Sequence, residues 1–151
     1  MPDFHLEQSL QNKVIGVDEV GRGPLAGPVV SCACIFFDYS MPKEELKFIN
    51  DSKKLSPVRR QKALRLILKM KKENKLNFSI GSAAVEEIDK LNILNATKLS
   101  MKRAVLKLKL RQGIIIVDGN FKLKVGDFIS KCFVNGDQIS LSIATASIIA
   151  K

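Results

Sequence analysis

The residues best suited to chemistry in this 151-residue chain are carboxylates placed where apolar runs end. Asp18 and Glu19 close the run KVIGVDE, Asp118 closes IIIVDGN, and Asp137 follows Gly136 in VNGD. In an α/β sheet, strand ends are where ligand-binding crevices form. Carboxylates converging there repel one another unless a cation neutralises them. Magnesium suits such a place, because it takes a few carboxylates, keeps waters and completes its shell with phosphate oxygens. Two such ions about 4 Å apart can activate a water and stabilise the leaving oxygen of a phosphodiester. Neighbours on a regular strand point to opposite faces, so Asp18 and Glu19 can share a site only where the strand ends and twists. The glycines at 21 and 23 permit that. Each acid taken singly is also what a cap or turn supplies, and D-G and N-G are ordinary turn dipeptides. On the residues alone, a cation site facing a phosphate-bearing substrate and a set of turn acids both stand.

Composition narrows the chemistry. His5 is the single histidine, so Ser-His and Cys-His nucleophilic catalysis are excluded. An enzyme here must work with carboxylates, lysines or a metal. With 25 Lys+Arg against 15 Asp+Glu, the net charge is +10, a field that attracts polyanions and makes binding salt-dependent. A basic surface with no such role would carry the same charge. Cys32 and Cys34 alternate on a strand-like run and Cys132 stands alone. They read as small buried hydrophobes in a reducing cytosol, since no second ligand pair completes a zinc site. No apolar run is long enough to span a membrane, and MPDFHLEQSLQNK has no signal-peptide core. A cytoplasmic location is expected.

The elements that must position these acids follow from periodicity. Residues 13–18 and 28–37 predict two strands joined through the glycine-rich turn. Residues 50–55 form a polar loop, and Ser56 with Pro57 starts a helix running to about Asn74. Its Leu64, Ile67 and Leu68 share one face. Residues 76–85 predict a third strand, followed by an acidic turn, EEIDKLN. A helix from Ile93 to about Leu110 carries Leu94, Met101, Val105 and Leu108 at helical spacing. Residues 114–117 predict a strand buried on both sides, 128–134 a fifth, and 140–151 a helix whose small residues allow close packing. The class is α/β, one domain with a central sheet.

The blocks GVDEVGRGPLAGPVV, INDSKKLS, EEIDKLNILNATKLSMKRA, IIIVDGN, NGD and ATASIIAK run in this order over residues 13–151. Together they closely resemble ribonuclease HII, the type 2 ribonuclease H family. The resemblance implies an RNase H-like fold, a central five-stranded mixed sheet flanked by helices, with residues 1–12 as an N-terminal extension. It implies cleavage of the RNA strand of RNA–DNA hybrids and incision 5′ to ribonucleotides embedded in duplex DNA. A metal-activated water would give 5′-phosphate and 3′-hydroxyl ends. The Mg²⁺ or Mn²⁺ would be held by four carboxylates, which fall on Asp18, Glu19, Asp118 and Asp137.

Gly21, Arg22 and Gly23 match the family's GRG element, where backbone groups approach the 2′-OH that tells RNA from DNA. Lys53 and Lys54 match phosphate contacts. Asn135 stands where the family pattern has lysine. The family pattern also continues past ATASIIAK with a Val-x-Arg-Asp segment, further helices and a tyrosine that stacks on the junction sugar. Here the sequence stops at Lys151 and Tyr39 lies in another context, so a shortened catalytic domain with weakened junction specificity is expected. Two other readings stand beside it: a module that binds hybrid without turnover, and another RNase H-like nuclease such as a junction resolvase. The glycine turn speaks against the latter. Protein partners are not legible.

Overall fold

A computed structural model describes residues 1–21, 27–50 and 52–151. Among the described residues, five strands form one sheet: β1 (Val14–Val20), β2 (Val29–Phe36), β3 (Leu76–Ala83), β4 (Ile114–Asp118) and β5 (Ile129–Phe133), in the order β3-β2-β1-β4-β5. β2 pairs antiparallel with both β1 and β3, whereas β4 pairs parallel with both β1 and β5. The mixed sheet expected from the sequence is therefore present. Ile114, Ile115, Ile116 and Val117 are all buried, as an uninterrupted apolar run in a parallel central strand requires.

β1 does not end at Asp18. Its antiparallel ladder with β2 continues through Glu19↔Ser31 to Val20↔Val30. What ends there is the parallel ladder with β4, whose last pair is Val17↔Val117. Asp18 thus stands at the point where β1 loses a neighbour, which opens the sheet there without breaking the strand.

Helices cover both faces. The α3 helix (Pro57–Lys72) and the α5 helix (Leu141–Ala150) share a core with Cys32 and Cys34, while α4 (Val85–Lys107) packs on Ile15, Val17, Ala33 and Ile35. Ser56 caps α3 as expected, its Oγ accepting from the Arg59 amide at 3.2 Å. The buried stripe of α3 is Ala63, Ile67 and Met70; Leu64 and Leu68, expected beside Ile67, are largely exposed. The i, i+4, i+7 row from Ala63 leaves them about a residue's rotation off the packed face.

EEIDKLN is helical rather than a turn. The helix is interrupted at Asn92 (φ 71°, ψ 169°), whose Oδ1 accepts from the Asn95 amide and starts the stretch 93–107. Sixteen residues of straight helix would separate Glu87 from Arg103 by about 24 Å. Instead Arg103 grips Glu87 through two hydrogen bonds of 2.8 and 2.7 Å, so residues 85–91 fold back along the helix. Leu94 is exposed, contrary to expectation, while Met101 and Val105 are buried.

Two short helices were not expected, α1 (His5–Ser9) and α2 (Lys43–Leu46). The first belongs to the segment read as an extension, yet Phe4 and Glu7 are buried. The Phe4 ring packs 4.9 Å from Phe36 and from Tyr39. Outer carbonyls of the edge strand β3 are covered by long cations: Lys71 on Phe78, Lys107 on Ile80 and Arg103 on Ser82. That cover blunts edge-to-edge pairing. No described helix is long and apolar enough to cross a membrane.

α5 crosses β1 at very short range. A Cβ on Gly16 would lie 2.4 Å from the Ser142 carbonyl carbon and 2.5 Å from the Ile143 nitrogen. Backbone atoms cannot step aside as a flexible side chain can. Gly16→Ala is therefore expected to cost about 3 kcal/mol, the upper end for overpacking, by lifting α5 off β1. Urea unfolding measures this directly, and a cost below about 1 kcal/mol would contradict the close crossing.

Candidate metal centre

Three acids from three elements converge beside that crossing. Asp18 lies on β1 on the α5 side, since its antiparallel partner Cys32 belongs to the core shared with α5. Asp118 ends β4 next to it. Because β1 and β4 run parallel, both acids sit toward C-terminal strand ends, the position where α/β sheets open into crevices. Asp137 comes from a 3-10 turn, Gly136–Gln138, just ahead of α5. One carboxylate oxygen from each of the three lies within 4.8 Å of the others. Asp137 is fully buried and Asp18 nearly so.

The NGD turn is shaped to bring two of these acids together. Asn135 adopts a left-handed conformation (φ 56°, ψ 39°), which asparagine tolerates better than most residues with a Cβ. That gives a physical reason for asparagine where the family pattern has lysine. Gly136 then approaches Asp118 closely enough for its amide to donate to Asp118 Oδ1 at 3.1 Å. A Cβ there would strike the Ile143 side chain at 2.7 Å. One short turn thus orients Asp118 through the backbone and delivers Asp137 as a side chain.

The electrostatics are those of a site short of positive charge. Burial, followed by the charge of Glu19, pushes the Asp18 carboxyl up to about 7 from its ordinary 3.8. The hydrogen bond from the Glu19 amide, at 2.8 Å to Oδ1, acts the other way, as does the neighbouring Ser147. Hard oxygen donors held this close in a partly dry setting suit a divalent cation.

Glu19 is not among the three converging acids. It pairs with Ser31, whose hydroxyl meets Ser100 of α4 at 2.5 Å. Its backbone thus belongs to a ladder position facing α4, while its carboxylate is close enough to Asp18 to raise it. Gly21 has φ +99°, and a Cβ there would meet the Pro28 carbonyl oxygen at 2.6 Å; both features demand glycine. Arg22 and Gly23 lie outside the described residues.

Lys53 and Lys54 sit in the 3-10 turn Ser52–Lys54 with their side chains exposed. The turn is held to α5 through Ser52, whose Oγ lies 2.8 Å from Ser147 Oγ and 2.7 Å from Lys151 Nζ. Ser52, Ser147 and Lys151 were not singled out from the sequence, although they lie inside the INDSKKLS and ATASIIAK blocks. A serine next to a lysine pair carries no periodic signal; only the fold reveals the contact.

The profile of the family described as Ribonuclease HII matches residues 15–151. A protein from Wolbachia pipientis (subsp. Culex pipiens, strain wPip) named Ribonuclease HII is 52% identical over 150 residues, covering 99% of this chain and 72% of its own length. The crystal structure of ribonuclease H2 from Pyrococcus horikoshii OT3 aligns with TM-score 0.60 at 26% identity, over 91% of this chain and 70% of that one. Bst-RNase HIII in complex with Mn²⁺ aligns with TM-score 0.71 at 22% identity, over 99% of this chain and 54% of that one.

Proposed function

This chain belongs to the ribonuclease HII family, and from that premise we propose that it cleaves the RNA strand of RNA–DNA hybrids and incises duplex DNA 5′ to embedded ribonucleotides. The observation that carries the reading is the convergence of Asp18, Asp118 and Asp137 within 4.8 Å at the open end of a parallel strand pair. In a chain of net charge +10, a buried acidic centre is what a polyanionic substrate needs at its cleavage point and nowhere else.

The donor set fits Mg²⁺ or Mn²⁺: three carboxylates leave room in an octahedral shell for water and phosphate oxygens. Asp18, Asp118 and Asp137 would hold the ion, with Glu19 completing the set from the neighbouring position. When bound, such an ion supplies positive charge against phosphoryl oxygens and lowers the pKa of water. The remaining work belongs to the chain. The Gly136 amide fixes the angle of Asp118, and the Glu19 amide that of Asp18. Lys53 and Lys54, exposed on the turn held to α5 through Ser52, would bind backbone phosphates and set the register of the strand. The Gly21 turn keeps main-chain atoms free of a Cβ where a ribose 2′-OH would approach, with Arg22 and Gly23 continuing that contact. Products would carry 5′-phosphate and 3′-hydroxyl ends.

The test is a DNA duplex with a single embedded ribonucleotide, incubated with Mg²⁺ or Mn²⁺ and mapped at nucleotide resolution. A cut 5′ to the ribonucleotide, lost in Asp18→Asn, is expected. An uncut duplex under conditions where calorimetry detects bound metal, or cutting unchanged by Asp18→Asn, would overturn the proposal.

A further inference from the structure

Resting on the reading above for the nature of the substrate, we propose that a basic groove with an apolar, aromatic floor, beginning beside the turn Ser52–Lys54, binds single-stranded nucleic acid that continues from the hybrid. None of the three converging acids lines it, so it is a second contact surface rather than part of the metal centre.

Two clefts make up the groove. The first, of about 500 Å³, is lined by Asn50, Leu55, Phe48, Arg59 and Lys62. Asn50 precedes and Leu55 follows the turn that carries Lys53 and Lys54, so this cleft opens beside the lysine pair. The second, of about 430 Å³, lies between α1, Tyr39 and α2. Met1 and Lys47 line both clefts, which join into one path from the turn to α1. Each can hold a nucleobase, since small-molecule sites occupy about 300–1,000 Å³.

The walls are cationic. Lys43, Lys47, Arg59 and Lys62 are exposed, and no salt bridge among the described residues neutralises them. Among the described lining residues Asp3 is the one acid. His5 occupies it, through Nδ1 at 2.8 Å and the amide at 3.0 Å. The floor is apolar: Phe4, Met41 and Leu46 are buried, and Tyr39 packs half-buried against them. Phe48 is 46% exposed, a large ring left in water with Lys47 Nζ 5.5 Å from its centroid.

Cations alone would suit any polyanion. Cations set along aromatic and apolar groups suit a strand whose bases are bare, with phosphates tracking the charges and bases stacking on the rings. A duplex keeps its bases inside and would leave this floor wet. Continuity with Lys53 and Lys54, proposed above as phosphate contacts, favours nucleic acid over an acidic peptide.

The experiment is fluorescence anisotropy in a chelator, where no metal-dependent cleavage interferes. It compares a blunt hybrid with hybrids carrying a single-stranded DNA tail of about ten nucleotides at the 5′ or the 3′ end. One polarity of tail is expected to tighten binding about fivefold or more, the worth of a single stacked base. Phe48→Ala should remove most of that gain and leave the affinity for blunt hybrid unchanged. The triple variant Lys43→Gln/Lys47→Gln/Lys62→Gln should flatten the slope of log affinity against log salt by about 2 for the tailed hybrid, at about 0.7 per phosphate contact. Its three side chains are exposed, so it tests the groove even if Phe48→Ala disturbs the fold.

Equal affinity for blunt and both tailed hybrids would overturn the groove, and hybrid cleavage under Mn²⁺ would then leave the functional reading standing. A tail gain untouched by either variant would overturn it too, by placing the tail elsewhere. Phe48-dependent binding of a peptide rich in Glu and Phe, with no gain from either tail, would assign the groove to an acidic peptide instead. A tail gain lost in the variants, from a wild-type chain that leaves hybrid uncut with Mn²⁺, would support the groove and overturn the functional reading.

Discussion

Asp118→Asn is expected to abolish divalent-cation binding at the three-carboxylate centre and to slow hybrid cleavage by more than a hundredfold, with the fold intact. Disturbing a partner of a metal ligand costs about 10–100-fold, and Asp118 is proposed as a ligand itself. The substitution is conservative in every other respect. Asparagine keeps an oxygen able to accept from the Gly136 amide, now 3.1 Å from Oδ1, so the NGD turn loses no hydrogen bond. It also removes one negative charge from within 4.8 Å of the carboxylates of Asp18 and Asp137. The metal-free variant should accordingly melt no lower than wild type. Calorimetry with Mn²⁺, a thermal melt and single-turnover cleavage together separate loss of the ion from loss of the fold. Cleavage within tenfold of wild type would remove Asp118 from the centre.

The second large effect is on stability against pH. Without metal, the protein is expected to become less stable as pH rises from 5 to 8, the reverse of ordinary acid denaturation. Asp18 and Glu7 are the cause. Asp18 is pushed up to about 7, by burial first and then by Glu19. Glu7, fully buried beneath α5 near Ser140 and Ser142, is also pushed up to about 7, by burial. In the unfolded chain both release their protons near 4, so between about 4 and 7 the folded state holds protons that the unfolded state has lost. Stability is full below that window, falls through it and is level above it.

At roughly 1.4 kcal/mol per pKa unit, the two groups amount to several kcal/mol. At about 2–4 °C per kcal/mol for a chain of this size, the melting temperature should fall by roughly 10 °C. Glu87, held down to about 2 by Arg103, acts below this window and does not mask it. Mn²⁺ at pH 8 should restore the Asp18 share, because binding only the folded state stabilises it. Glu7→Gln should remove the other share without affecting metal affinity. Melts in a chelator at pH 5 and pH 8 decide the matter, and a melting temperature that rises with pH would contradict it.

Much of this fold was legible before any coordinates. The start of α3 at Ser56-Pro57 and the doubly buried β4 were visible because each rests on local chemistry. What escaped was what only tertiary contact decides. α1 is five residues long, too short to leave a periodic signal, and is anchored by the Phe4 ring packed against Phe36 and Tyr39. EEIDKLN looked like a turn because its polar residues have no apolar stripe, but Arg103 holds it folded back as helix. Leu64 and Leu68 were placed in the core for their hydrophobicity, when the smaller Ala63 was the residue that fitted.

The candidate site divides in the same way. Asp18, Asp118 and Asp137 could be picked out because strand-end acids stand out in a basic chain. Glu19, read as the fourth ligand, lies outside the trio whose oxygens converge, because β1 stays paired as far as Val20, but its charge still reaches Asp18. Ser52, Ser147 and Lys151, which tie the turn to the end of α5, were invisible, since a hydroxyl has no sequence signature until its partner is known.

The most direct measurement is to locate a bound ion. Crystals grown with Mn²⁺ at pH 8 and measured at the manganese absorption edge would give an anomalous peak at each manganese. A peak among the carboxylates of Asp18, Asp118 and Asp137 is the predicted result. A chain that cleaves hybrid while its manganese lies elsewhere, or that shows no peak at saturating Mn²⁺, would contradict the assignment of this centre.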